Sequence, residues 1–433
     1  MRTRPSDGER VHFVRHSSGH VGLVEVPWSA VTALFHRLAN MPVRVEPEPK
    51  LEPEPEPEIA AVRRLARRTL PAGLRRPLGR YLFMQWLALV ALADLLAAPV
   101  RALRRPAPEP QPPVAAPEPP APLGAPGDTL LALGAGWCNP GQSEVIAWAR
   151  QQRGMRFALL VYDLIPLRRP DFCDAAHVRT FRAWLDEMLP LCDRIMTISR
   201  ATANDLRAYA GAEAKPLAAP VDVIPVGSGL RSGAPSAHAP TRPLPAPGSY
   251  VLFVSTVEAR KNHALLVNVW RRLRAVLPPT SLPTLVFAGR VGWMVKDLMQ
   301  QLDNTDWLDG HVMLIDGPTD EELAALYRGC LFTLFPSLYE GWGMPVTESL
   351  GFGKPCVISN SSSLPEAGGD LARYFDPENV AEATRVIRAT IEDRDGLRAW
   401  EERIQREFRP VAWEETADCL LQLLDEQPVA VAA

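Results

Sequence analysis

Nine short apolar runs, seven of them leading into a helical pattern, set the narrowest limit on what this chain can fold into. TLLALG (129–134), RFALLVYD (156–163), RIMTIS (194–199) and VDVIPV (221–226) form one group. YVLFVS (250–255), TLVFAG (284–289), HVMLID (311–316), CLFTLFP (330–336) and KPCVIS (354–359) form a second. Continuous apolar runs of this length suit strands covered on both faces of a sheet. Helical spacing separates them, at 143–152, 174–191 and 200–210 in the first group. In the second group it falls near 262–277, 293–302, 319–328 and 346–352. Regular alternation of strand and helix predicts doubly wound parallel sheets. The expected fold class is therefore α/β, with two Rossmann-like domains facing a ligand cleft.

Proline marks the boundaries, because the 44 prolines are spread unevenly. EPEPKLEPEPEPE (46–58) and RPAPEPQPPVAAPEPPAP (105–122) favour extended polyproline II and pack no core. GAPSAHAPTRPLPAPGS (233–249) reads as an interdomain linker. The expected division is the start of an N-terminal domain (1–45), proline-rich insertions around an apolar helical segment (46–127) and the rest of that domain (128–232). The linker (233–249), a second domain (250–410) and a terminal helix and tail (411–433) follow. A net charge of -3 gives no electrostatic reason to expect nucleic acid. Six cysteines without a C-x-x-C pair read as buried thiols in a reducing compartment. Residues 1–20 are charged and polar, unlike a cleavable signal, so a cytoplasmic location is expected.

Ligands of open parallel sheets sit outside the carboxyl ends of the strands. FPSLYEGWGMPVTESLGFGKPCVISN (335–360) occupies such a place, with a strand, a glycine-rich loop and a helix whose first turn is expected to carry Glu348. Gly341 and Gly343 allow close backbone approach to a ligand, and Pro345 suits a first helical turn. Free N–H groups at that helix start favour a phosphate. Glu340 and Glu348 flank the loop, which makes sense for a ligand that also carries hydroxyls, since a carboxylate only accepts hydrogen bonds. The plainer reading has Glu348 complementing the helix dipole and Glu340 solvated.

The E-G-W-G-M-P-V-T-E pattern resembles the E-x7-E signature of family 4 retaining glycosyltransferases of the GT-B fold. The resemblance runs from about Asp128 to the C-terminus. VSTVEARKNHALLV (254–267) is similar to the segment that supplies basic residues to the donor diphosphate. GPTDEELAALYRGC (317–330) and SSSLPEAGGDLARYFDP (361–377) resemble the segments on either side of the signature. VYDLIPLRRPDF (161–172) resembles the acceptor-domain loop, and CDRIMTISRATANDL (192–206) the family's Asp-to-Ser unit. The resemblance implies transfer of a sugar from a nucleotide diphosphate sugar to a glycan or lipid-linked acceptor in surface polysaccharide or glycolipid assembly. Glu340 would meet donor sugar hydroxyls and Glu348 the ribose, while Gly341, Trp342, Gly343 and Met344 would meet sugar and phosphates. Mannose from a guanosine donor is the family-level expectation.

Arg260 and Lys261 are the expected partners of the leaving diphosphate, so no metal or other cofactor is called for. One such cation about 4 Å from a phosphate is worth roughly 4 kcal/mol at an intermediate dielectric. That amounts to about a thousandfold in rate if it acts only at the transition state. Asp163 either orients the acceptor hydroxyl or caps the loop begun by DLIP. Tyr162 stands where many relatives carry histidine. Ser199 and Thr202 read as helix-start caps, Ser363 with Glu366 as a capping box, and Trp413 as core packing, in a terminal segment that the resemblance carries back toward the first domain. GAGWCNPG (134–141) offers a rival dinucleotide reading, but its third glycine is displaced and Asn139-Pro140 interrupts the turn.

RVHFVRHSSGHVGLVEVPWSAVTALF (10–35) resembles the second unit of a GT-B domain, with SSGHVG a hairpin turn. The first unit is expected to be missing, and a nucleotide-sugar-binding protein without turnover is the alternative function. YLFMQWLALVALADLLAAPV (81–100) is long enough to span a bilayer, but Asp94 opposes that by roughly 2.5–3.5 kcal/mol. Arginines on both sides of the stretch suit contact of residues 81–105 with an anionic membrane surface. A helix packed on the domain itself is the other reading.

Overall fold

The computed structural model describes residues 124–139, 141–213, 217, 219–229 and 242–426, with short pieces at 13–16, 23–26 and 29–33. The SSGHVG turn, both proline-rich insertions and the 81–105 segment lie outside the described residues. β1 (Phe13–His16) and β2 (Leu23–Val26) pair as a two-stranded sheet.

The first lobe is built from β3 (Thr129–Ala132), α1 (Gln142–Arg153), β4 (Arg156–Val161), α2 (Ile165–Arg168), α3 (Ala175–Met188), β5 (Arg194–Thr197), α4 (Arg200–Ala212) and β6 (Val221–Val223). Its four strands are parallel, in the order β3-β4-β5-β6. Phe157, Leu159 and Val161 pack into one core, while Ala158 and Leu160 belong to a second. Because successive strand residues point to opposite faces, both faces of β4 are covered.

The second lobe contains β7 (Tyr250–Val254), α5 (His263–Val276), β8 (Thr284–Ala288), α6 (Lys296–Asn304), β9 (Val312–Ile315), α7 (Asp320–Gly329), β10 (Thr333–Phe335), α8 (Met344–Gly351), β11 (Cys356–Ser359) and α9 (Leu364–Gly368). β12 (Ala372–Phe375), α10 (Val380–Glu392) and α11 (Arg394–Glu407) complete it. Its six parallel strands run β12-β11-β10-β7-β8-β9. The order grows one way from β7 and the other way from β10. That reversal opens a crevice at the carboxyl ends of β7 and β10.

α12 (Trp413–Asp425) follows the second lobe in sequence but packs on the first. Cys419, Leu420, Leu423 and Leu424 lie against Ala158, Leu160, Met196 and Ile224. Trp413 is 42% exposed and so is not a core residue. It covers Gly227 instead, where an added Cβ would come within 2.5 Å of the indole. Three of the six cysteines, Cys192, Cys330 and Cys356, are buried; Cys138 is exposed and the other two lie between, so burial of all six does not hold. Of the expected linker, residues 242–249 are described, and Arg242 ties them to the second lobe through Glu322 at 3.1 Å and the Asp316 carbonyl at 2.9 Å. Among the described residues no helix is long and apolar enough to cross a membrane.

Candidate active site

The loops after β7 and β10 meet at the switch point. Leaving β7, the chain makes a 3-10 turn over Ala259–Lys261, and Asn262 at φ 62 turns it into α5. Asn262 ties this turn down, its Nδ2 donating to the carbonyls of Pro336 (3.1 Å) and Pro377 (2.9 Å). Arg260 and Lys261 are thereby aimed at Glu340. Arg260 Nη1 lies 2.9 Å from Glu340 Oε2, and Lys261 Nζ lies 2.6 Å from Oε1. The other Arg260 nitrogen, Nη2, reaches Glu258 Oε1 at 2.7 Å. Burial works to raise the Glu340 carboxyl, but Lys261 and then Arg260 outweigh it and hold the pKa down to about 2. Glu340 is thus a carboxylate at any physiological pH, and the plainer reading of a solvated side chain fails at 12% exposure.

Contrary to the expected strand over 156–163, Asp163 does not end its strand. β4 stops at Val161, and Asp163 lies in the loop beyond, where its Oδ1 accepts the Ile165 N–H at 2.9 Å and turns the chain. Burial raises its carboxyl, while Ile165 and Arg260 pull it down and Glu340 pushes it up. It faces the same crevice: a Cβ on Gly341 would stand 2.8 Å from the Tyr162 carbonyl and 2.9 Å from Asp163 Cβ. Only glycine lets the two lobes approach so closely there. Gly343, at φ 120, starts α8 without any side-chain cap, and Pro345 lies in the first turn. α8 begins at Met344, two residues before the expected start, so Glu348 falls beyond the first turn and does not serve the helix dipole there. Glu348 also stands apart from the ion cluster. Its Oε2 accepts from Tyr327 Oη at 3.0 Å, and its Oε1, with Met344 Cε, lies 2.7 Å from where a Cβ on Gly229 would be. Trp342 packs on the second-lobe core, with its Nε1 bonded to no described residue.

Sequence reasoning missed the serines that hold this loop. Ser359 Oγ donates to Ser337 O at 2.6 Å, and Ser361 Oγ to Leu338 O at 2.7 Å. Ser362 Oγ accepts the Glu340 N–H at 2.8 Å. Ser363 Oγ donates to Glu340 O (3.0 Å) and Trp342 O (2.8 Å), so it makes no capping box with Glu366. A polar run directly after a buried strand was the available signal, since such hydroxyls need partners. Ser199 does cap α4, accepting the Thr202 N–H at 3.0 Å, whereas the Thr202 hydroxyl goes to the Tyr162 carbonyl instead.

Tyr339 bonds Asp205, which Arg168 Nε also reaches at 3.1 Å. Beside them opens a cavity of about 340 Å³, lined by both lobes, including Arg168, Arg169, Tyr339, Asn360, Asp376 and Glu378. The GAGWCNPG turn is filled by protein: a Cβ on Gly136 would lie 2.4 Å from Gln142 Oε1 and 2.5 Å from Trp184 Nε1. Glu144 stands at the start of α1, where a pyrophosphate would have to bind. Among the described residues no group of three or more His, Cys, Asp or Glu could hold a metal ion.

Two parallel lobes meeting across a switch-point crevice are the GT-B architecture. The crystal structure of HepE from Anabaena in complex with UDP-glucose superposes with a TM-score of 0.51 at 17% identity, over 68% of this chain and 78% of that one. Residues 240–407 match the model of the glycosyl transferases group 1. The serotype-specific mannosyltransferase WbdA of Escherichia coli is 26% identical over 283 residues, 61% of this chain and 33% of the relative. The O-antigen chain mannosyltransferase B of Escherichia coli is 32% identical over 144 residues, 33% of this chain and 37% of that one. The chain spans about a third of the length of these curated relatives.

Proposed function

We propose that this protein transfers a hexosyl group, with retention, from a nucleoside diphosphate sugar to a glycan or glycolipid acceptor during surface polysaccharide assembly. The observation that carries the proposal is the pairing of Arg260 and Lys261 with Glu340 at the switch point. Two cations held 14% and 18% exposed form a preorganised receptor for the charge that develops on a departing diphosphate. The first-turn amides of α8 add donors for phosphate, and these cations fill the role a divalent metal plays elsewhere. Mannose is the proposed sugar, following the mannosyltransferases among the relatives, and a guanosine nucleotide the proposed carrier.

Glu340 holds the sugar hydroxyls in this reading, and Glu348 takes the ribose. The bond from the anomeric carbon to phosphate oxygen breaks, a bond from the acceptor hydroxyl oxygen forms on the same face, and the hydroxyl proton leaves with the diphosphate. Asp163, beside Gly341, orients that hydroxyl. The cavity at Tyr339 gives an acceptor sugar room, at the lower end of ordinary small-molecule pockets of about 300–1,000 Å³. Attachment through residues 81–105 to a membrane surface would bring a lipid-linked acceptor near.

A thermal-shift panel of nucleotide sugars tests the proposal, because a ligand at about a hundred times its dissociation constant adds about 2.7 kcal/mol of stability. GDP-mannose is expected to give the largest shift, and NMR of the product's anomeric proton to report the donor's configuration. No shift with any nucleotide sugar would refute the reading, and an inverted product would refute retention.

A further inference from the structure

Glu366 lies outside the ion cluster, yet it joins the two lobes. Its side chain, on α9 of the second lobe, is 16% exposed. Oε2 accepts the backbone N–H of Arg200 and Oε1 that of Ala201, both at 2.8 Å. Those residues are the first two of α4 in the first lobe. The first amides of a helix have no acceptor within it and carry its positive end. Ser199 takes the third amide, so the cap of α4 is finished by a carboxylate from the other lobe. Arg200 Nε adds an ion pair to the same group at 3.3 Å.

Two further contacts tie this junction to the crevice. Farther along α4, Asp205 holds the hydroxyl of Tyr339, the residue before Glu340. Ser363, three residues before Glu366, holds the carbonyls of Glu340 and Trp342, and Ser362 holds the Glu340 amide. The backbone around Glu340 therefore rests on a segment that is itself anchored to α4.

We propose that Glu366 is a positioning residue, a latch that fixes the 361–363 segment against α4 and so sets Glu340 in place only when the lobes are joined. The kinetic consequence rests on the glycosyltransferase reading, whereas the contact does not. A carboxylate bonded to two amides is worth more than a neutral acceptor, so its loss is expected to change exchange and turnover by about tenfold or more.

The test uses the full chain and the variants Glu366→Ala and Glu366→Gln. Hydrogen exchange is followed in peptides covering residues 198–204, alongside GDP affinity by calorimetry and GDP-mannose hydrolysis. In Glu366→Ala the amides of Arg200 and Ala201 are expected to exchange about tenfold faster, with the interior of α4 unchanged. The turnover number falls by about tenfold while GDP affinity holds within about twofold, and Glu366→Gln, which keeps an acceptor oxygen, recovers part of both losses. Unchanged exchange at residues 200–201 overturns the latch, and faster exchange with undiminished turnover overturns the positioning role. If the wild-type chain neither binds GDP nor hydrolyses GDP-mannose, the catalytic reading and this positioning role fall together, and exchange alone still decides whether the contact exists.

Discussion

At Glu340 one carboxylate neutralises two cations, so a diphosphate arriving at Arg260 and Lys261 has to compete with it. Glu340→Gln removes the competitor. The variant is expected to bind nucleoside diphosphate several-fold tighter by calorimetry while sugar transfer falls at least about a hundredfold, the range seen when a preorganised transition-state contact is lost. Weaker nucleotide binding in that variant would contradict the assigned competition. Lys261→Ala leaves Glu340 paired with Arg260, so the fold should persist by circular dichroism while transfer drops by about a thousandfold. The sequence singled out Arg260, Lys261 and Glu340 as neighbours around one expected ligand, but their direct ion pairing was not read from it. Cations just before a helix, where its dipole disfavours them, need a reason, and two strands ending in neighbouring loops supply one. The partners of Glu348 and Glu366 were not legible, because Tyr327 and Arg200 come from separate elements and nothing in the local spacing names them.

Elements carry the next set of consequences. Gly341→Ala would put a methyl within 2.9 Å of Asp163 Cβ and push the lobes apart. Transfer should be lost with nucleotide affinity nearly intact, and a fully active variant would show that the close approach is dispensable. Ser362→Ala strips the acceptor from the Glu340 N–H, an expected loss of about 1–3 kcal/mol in urea unfolding if the amide stays dry. Eight of the nine apolar runs became strands at their expected starts or one or two residues inside them, because continuous burial dictates composition; CLFTLFP gave a strand only from Thr333. Their ends, except that of KPCVIS, were overestimated: Leu133 and Tyr162 lie beyond the strand ends and are 44% and 42% exposed. β12 escaped notice because ARYF is an edge strand, and its Arg373 lies over the Trp400 ring at 4.3 Å instead of filling a core. The period of Ala383, Ile387 and Ile391 in α10 is present in the sequence, past the segment where motifs draw attention.

For the molecule as a whole, acid should be destabilising from two sources of the same sign. His263 is 1% exposed between Phe253 and Phe287, and burial, with help from Lys261, pushes its imidazole down to about 3. The unfolded chain takes that proton at about pH 6.5, so stability falls as pH drops from there toward 3. Glu340 adds a contribution that is present above its unfolded value of about 4.3 and lost as pH falls toward 2. Urea midpoints between pH 7 and 4.5 are expected to decline in the wild type and to flatten in His263→Gln; equal slopes would remove His263 from the account. The two-lobed fold was visible in the spacing of strands and helices, but the return of α12 to the first sheet follows from no local pattern. A chain ending at Arg409 should leave Leu160 and Ile224 uncovered and make the first lobe, not the second, sensitive to protease. On the ribosome the same geometry imposes a schedule. One face of the first sheet stays bare until α12 has been synthesised, so a nascent chain stalled before it displays a greasy patch that chaperones must shield.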